Sequence, residues 1–304
     1  MPDPLASFRQ LSTTPAEAVR WACILEATAP KPGNVFPGRS FVDLTHSNFV
    51  AAAEITARCF GQKSERISNR MLAAVDQVQS HLGTNVNLGI ILLLGPMVAA
   101  DERASVTALK QGAGNPTSSF ENLQAWIPGI EAVLEGLNDD DGELIFMAIQ
   151  RATAGGMGTT QQLDVGQAHT SVDILQAMEL AKTRDRIGLQ YSDGYRDLIC
   201  HITPVLLRAI QSTGDVLSGI CHAHVHLLKE APDTLIARKN GIEVASNVQQ
   251  RASVVDPFDP ESMESFDQYL RANGHQLNPG TTADLLAASL YLILRTITPE
   301  THHE

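Results

Sequence analysis

Ala29-Pro30-Lys31-Pro32-Gly33-Asn34-Val35 sets a cation and an amide in a stretch stiffened by two prolines. Each proline fixes its own φ and drives the residue before it out of the helical region. Gly33 admits a turn, or a ligand approaching the backbone where a side chain would block it. A lysine held on a rigid loop suits phosphate, and the plainer alternative is a helix-ending loop with a solvated lysine.

Three further stretches carry polar groups next to apolar ones. Gly83-Thr84-Asn85-Val86-Asn87-Leu88-Gly89 leads into the most hydrophobic run of the chain and places two asparagines at the edge of a core. Asp233 follows Pro232 and precedes Arg238 and Lys239 within two helical turns, so it either serves chemistry or complements a helix dipole. Asn278-Pro279-Gly280-Thr281-Thr282-Ala283-Asp284 feeds directly into a long apolar helix. Backbone N–H groups and two hydroxyls there would face whatever sits on the helix N-terminus.

Other motifs are weaker. Asp139-Asp140-Asp141-Gly142 lacks the remaining ligands of a calcium loop and reads as an exposed turn. Gly155-Gly156-Met157-Gly158 follows a helix instead of a strand and lacks the GK[ST] ending of a nucleotide loop. His222, His224 and His226 lie on one helix, where only 222 and 226 share a face, and without the glutamate of HExxH a zinc site competes with packing or surface roles.

The elements that must position these residues read as helices throughout. Thr14-Pro15-Ala16-Glu17 is a capping box that starts a helix running to the prolines at 30 and 32, with Glu26 in its last turns. Helical spacing continues from Thr45 to Gly61, from about Ser64 to Gly83, through the buried run Leu88 to Ala100, and over Phe120 to Leu137. It resumes at Glu143 to Ala152, near Thr170, at Tyr195 to Ile210, Asp215 to Lys229, Asp259 to Gly274, and after Gly280. No run alternates like a strand, so the expected fold is all-α, one domain over residues 1–304, with roughly a dozen helices around a buried central one.

Composition bounds the partners. The chain has 304 residues, 43% of them hydrophobic, enough for a sizeable core. A net charge of −12 argues against nucleic-acid or anionic membrane surfaces, so an anionic ligand must be drawn by a local cluster of cations. The run Leu88 to Ala100 is too short to span a bilayer and is broken by Gly89, Gly95 and Pro96. Cys23, Cys59, Cys200 and Cys221 are widely spaced with no CxxC pair, and Met1 to Gln10 lacks the pattern of a secretory signal; the expected setting is a reducing cytoplasm.

Taken together and in order, the PKPGNV loop, the Asn85–Gly89 segment, the Asp233-Thr234 pair and the PGTTADLL helix start resemble the triphosphoribosyl-dephospho-coenzyme A synthase family. They span residues 26 to about 290. The resemblance implies a single all-helical domain that transfers the triphosphoribosyl group of ATP to the ribose 2′-hydroxyl of 3′-dephospho-coenzyme A. Adenine leaves, and the product serves as prosthetic group of citrate or malonate lyase. Lys31, Pro32, Gly33, Val35, Asp43, Asn85, Gly89, Asp233, Thr234, Pro279, Gly280, Ala283, Asp284 and Leu285 match. Val86, Asn87 and Leu88 stand where the family has Thr, His and Lys, Phe41 where it has a histidine, and Thr281-Thr282 where it has Gly-Ser. These departures look like a divergent branch, of the kind found in organisms that make tetrahydromethanopterin-type one-carbon cofactors, with another acceptor for the same donor.

Substitution at the ribose C1′ passes through an oxocarbenium-like state, which a carboxylate stabilises or assists by taking the acceptor's proton. Asp43, Asp233 and Asp284 are the catalytic candidates. The triphosphate calls for Mg²⁺ on Asp233 and Asp284, with Lys31, Arg238, Lys239, Gly33 and the helix start at Gly280, Thr281 and Thr282 around it. Asn34 and Asn85 would fix ribose or base. A homodimer is compatible with this reading. The competing class is a helical nucleotide-binding protein without turnover, set apart by whether adenine is released from ATP.

Overall fold

The structure, a computed structural model, describes residues 3–84, 86–110, 122–154 and 173–296. Fifteen α-helices follow one another with no strand among the described residues. In chain order they are α1 (Ala6–Gln10), α2 (Pro15–Thr28), α3 (His46–Phe60), α4 (Ile67–Leu82), α5 (Leu88–Lys110), α6 (Trp126–Leu134), α7 (Asp139–Ala154) and α8 (Ile174–Ala181). Then come α9 (Arg186–Asp193), α10 (Thr203–Thr213), α11 (Val216–Glu230), α12 (Thr234–Asn240), α13 (Ile242–Ser253), α14 (Pro260–Arg271) and α15 (Gly280–Arg295). No helix among the described residues is long and apolar enough to cross a membrane.

Local chemistry sets the helix starts. Thr14 and Glu17 form the reciprocal capping box of α2. Asp173, Asp185, Asp215, Asp233 and Asp259 each accept backbone N–H bonds as N-caps, so part of the acidic excess neutralises helix dipoles. The three aspartates at 139–141 do not make a turn between helices, as expected from sequence. They are the first turn of α7, where Asn138 and Asp141 cap each other at 3.2 and 3.0 Å and acidic side chains suit the positive helix end.

The single helix expected over Tyr195 to Ile210 is also divided. Gly194 and Tyr195 both have positive φ, Leu198–Ile202 is a π-helical turn, and α10 begins just before Pro204. A proline has no N–H for the i−4 carbonyl, so the ladder shifts there, and Thr203 Oγ1 donates to Leu198 O at 2.8 Å.

Two helices share the centre. In α15 every residue from Leu285 to Arg295 is buried, and it packs against α2, α5, α10 and α11. Its one buried cation, Arg295, donates to Asp101 of α5 at 2.8 Å, and Tyr291 Oη donates to the same carboxylate at 2.7 Å. A smaller apolar cluster lies beside the main one, formed by Val225 and Leu228 of α11, Ile236, Val248, Phe266, Leu270 and Leu277. Helix α11 feeds both clusters, and the first turns of α5 and α12 pack on the start of α15.

Candidate active site

The loop after α2 is tied down at nearly every polar atom. Lys31 folds back under the helix it follows: it is 0% exposed, and its Nζ lies 2.9 Å from Glu26 Oε1 and also donates to the carbonyl of Glu26. A buried ion pair of this kind holds the helix end to the loop, and it corrects the expectation of a lysine presented to phosphate. Cys221 Sγ–H donates to Pro30 O at 3.1 Å, His224 Nε2 lies 3.2 Å from Pro32 O, and Arg271 donates to Asn34 O. Burial, with the Lys31 charge nearby, pushes the His224 imidazole down to about 3, so it is neutral and donates through Nε2. Burial likewise raises the Cys221 thiol to about 11.

Gly33 shows why this loop carries a glycine. Its φ is +78°, its N–H donates to Asp267 Oδ1 at 2.7 Å, and an added Cβ would lie 2.8 Å from Leu270 and 2.9 Å from Pro279. The two Pro-Gly segments therefore meet in space, and Asn34 Nδ2 completes the junction by donating to Asn278 Oδ1 at 2.9 Å.

At the start of α15 the Gly280 and Thr282 donors expected to face a ligand are used internally. Thr282 N–H and Oγ1 both donate to Asp233 Oδ2 at 2.8 Å, while Asp233 Oδ1 accepts from Leu235 N at 2.9 Å and Ile236 N at 3.1 Å. One carboxylate thus caps two helices, with four donors on its four lone-pair positions. Thr281 Oγ1 pairs with Thr234 Oγ1 at 3.1 Å, and Gly280 N donates to Asn278 O at 2.9 Å. A Cβ on Gly280 would strike Leu235 at 2.5 Å, so the glycine serves close packing of α15 on α12. The donors of Gly280 and Thr282 are thus already engaged within the protein, and the expectation of Asp233 as a metal ligand is corrected, because its oxygens are already filled. Burial raises the Asp233 carboxyl against the opposing pull of these hydrogen bonds.

Asp284, one turn further, is different. It is partly buried and makes no hydrogen bond among the described residues. Burial first, then the nearby Glu26 and Asp233 carboxylates, push its carboxyl well above the usual range, with Arg238 opposing. Gly89 of α5 is packed so closely on it that an added Cβ would sit 2.0 Å from Oδ2. Two buried amide oxygens in this neighbourhood, Asn34 Oδ1 and Asn87 Oδ1, have no hydrogen-bond partner.

Around these groups stand further charged side chains. Arg238 Nη1 is 2.6 Å from Asp185, the N-cap of α9. Lys239 is exposed and has no ion pair among the described residues; partial desolvation lowers its ammonium pKa, against the pull of Asp233 and Asp43. Asp43 has a side chain 62% exposed, with His275 Nε2 at 3.6 Å, and Phe41 packs edge-on against the His275 ring.

Asn85 and the segment Gly155–Gly158 lie outside the described residues. His222 packs against Phe258, and His226 lies 3.1 Å from Glu230, so the HxxxH pair is divided. Among the described residues no three His, Cys, Asp or Glu side chains are grouped to hold a metal ion. Sequence reasoning missed Asp267 and Arg271, and named His224 and Asn278 without their part in holding the loop. The spacing of Asp267 and Arg271, four apart on α14, signals an ion pair, and nothing in the sequence ties it to residues 33–34.

An all-helical protein is thus defined in which an unpaired carboxylate, Asp284, meets the first turn of α5 near the start of α15. The chain belongs to the ATP:dephospho-CoA triphosphoribosyl transferase (CitG) family, whose model matches residues 12–300. It is a transferase of that family, the one its motifs resemble. The fold is similar to a crystal structure from Archaeoglobus fulgidus provisionally named a triphosphoribosyl-dephospho-coA synthase: TM-score 0.61, 21% identity, covering 81% of this chain and 98% of that one. No curated protein matches the chain.

Proposed function

We propose that the chain carries out its family's transfer at Asp284, with ATP as donor and dephospho-CoA as acceptor. The observation that carries this reading is the unpaired Asp284 carboxylate, partly buried beside Glu26 and Asp233 with its proton affinity raised. Such a group is a stronger base than an ordinary aspartate and can also stabilise a developing oxocarbenium ion. The acceptor oxygen bonds to C1′ and its hydroxyl proton passes to Asp284. The C1′–N9 bond breaks with its electron pair going to adenine, which takes up a proton and leaves.

Lys239 supplies the free cation for the polyphosphate, and the exposed Arg238 adds a second that must leave or share Asp185, because Lys31 is buried on Glu26. Asn34 offers a buried acceptor to ribose or base. Mg²⁺ arriving with the nucleotide would be held mainly by the phosphates; Asp284 is the one unpaired carboxylate that could bind it, as the alternative to its role as base, and Asp233 has no oxygen to spare. When bound it would neutralise the triphosphate. Unpaired cysteines are in line with a cytoplasmic setting.

A second acceptor is favoured by one observation. Val86 and Leu88, which replace polar and cationic residues of the family motif, pack against the main core, so this face has become apolar. Chromatographic detection of adenine from Mg-ATP with dephospho-CoA, and with other alcohols including pterin-type cofactor precursors, tests the reading. Adenine formed with dephospho-CoA supports it, adenine formed only with another acceptor reassigns the acceptor, and nucleotide binding without adenine release under any condition selects the binding-protein class.

A further inference from the structure

Asn87 immediately precedes α5, where an asparagine ordinarily turns its side-chain oxygen onto the N–H groups of its own first turn. It does not do so here. The side chain is 2% exposed, its Oδ1 has no partner, and only its backbone carbonyl joins the helix, accepting from Ile91 N at 2.9 Å. Leaving a buried acceptor unpaired is unfavourable unless something else supplies the donor.

The surroundings say where that donor would come from. Gly89, two residues on, is pressed against the Asp284 carboxylate, which brings the first turn of α5 onto the first turn of α15. Asn34 Oδ1, the other unpaired amide oxygen here, lies on the loop joined to Asn278 just before α15. Both of these unpaired amide atoms are acceptors. A planar primary amide can pair with an adenine edge in two bonds, its oxygen accepting from the exocyclic amine and its NH₂ donating to a ring nitrogen.

We propose that Asn87 is a specificity-determining residue that reads the amino-bearing edge of the nucleobase next to Asp284. This rests on the nucleotide reading given above and deepens it by naming the group that selects the base. Asn87 is a contact to the leaving group and takes no proton itself.

The test compares ATP with ITP, which carries a 6-oxo group in place of the amine and a proton on the adjacent ring nitrogen. Calorimetric binding with Mg²⁺ is measured for the wild type, Asn87→Ala and Asn87→Ser, each checked for an unchanged helical spectrum. The wild type is expected to prefer ATP by about tenfold or more, as a bidentate base contact does. Both variants should lose affinity for ATP and little for ITP, so that the ratio falls to about twofold. A wild type that binds both nucleotides equally, or variants that keep the wild-type ratio, overturn the proposal and leave nucleotide binding intact; the unpaired oxygen is then met by water. A wild type that binds neither nucleotide sinks the functional reading, and this inference with it.

Discussion

Asp233 and Asp284 stand at the starts of neighbouring helices in one acidic neighbourhood, yet they are used in opposite ways. Asp233 accepts four hydrogen bonds and joins α12 to α15, whereas Asp284 accepts none among the described residues and meets Gly89 of α5 instead. The lesson is that a motif aspartate is sorted by its donors. A saturated carboxylate is a strut, and a bare one is where charge and protons can move. Lys31 and Lys239 divide the same way, one sealed onto Glu26 and the other exposed.

The largest effect expected is on turnover. Asp284→Asn should lower adenine release by roughly two to four orders of magnitude with the fold intact. It should also make the protein more resistant to heat at neutral pH. The folded carboxyl holds its proton to a higher pH than the unfolded one, so its contribution favours the fold in acid and is lost as pH rises through the raised value. In the wild type, kcat/KM should fall as pH drops through a value above the ordinary carboxylate range, and Asp284→Asn should abolish that limb. A variant as active as wild type, or a less heat-stable one, breaks the contrast with Asp233.

Lys31→Ala should act on stability first. It leaves Glu26 buried without its partner, and a loss of about 3–5 kcal/mol in urea denaturation is expected for a broken buried pair. A variant of full stability that merely binds ATP poorly would restore the phosphate role read from sequence.

Asp233→Asn should cost about 2–3 kcal/mol, because an amide NH₂ would face the Thr282 donors where an oxygen now accepts. If turnover falls as far as in Asp284→Asn while stability holds, the division between strut and reactive group is wrong. His224 sharpens the same point on the loop. Its pKa is held at about 3 against about 6.5 unfolded, so native stability should decline as pH falls below 6.5 toward 3, and His224→Gln should flatten that decline.

Lys239→Ala should give the smallest change, about a three- to tenfold rise in KM for ATP with kcat and melting temperature nearly unchanged, since an exposed cation contributes to binding alone. An unaltered KM would move the polyphosphate away from α12.

Much of this was legible in the chain. The all-helical class, the capping box at Thr14, the helix starts at Thr45, Asp215 and Asp259, and the family itself follow from patterns within a few residues, because helix starts and amphipathic faces depend on side chains one or two turns apart. The meeting of the two Pro-Gly segments is also anticipated from their shared polar character. Where local signals compete, reading by pattern fails: a run of aspartates serves a turn or a first helical turn equally well, and only Asn138 decides between them.

What the tertiary structure alone decided is which polar groups are already taken. The partner of Gly33 N–H lies 234 residues away and that of Thr282 lies 49 away, separations at which no periodicity or spacing carries information. Saturation of a donor or acceptor is a property of packed neighbours, so Lys31, Thr282 and Asp233 could be named from sequence as site residues but not recognised as struts. For the same reason Asn87, read from sequence only as a polar residue at the edge of the core and a departure from a motif, gains a role when its oxygen is found buried without a donor.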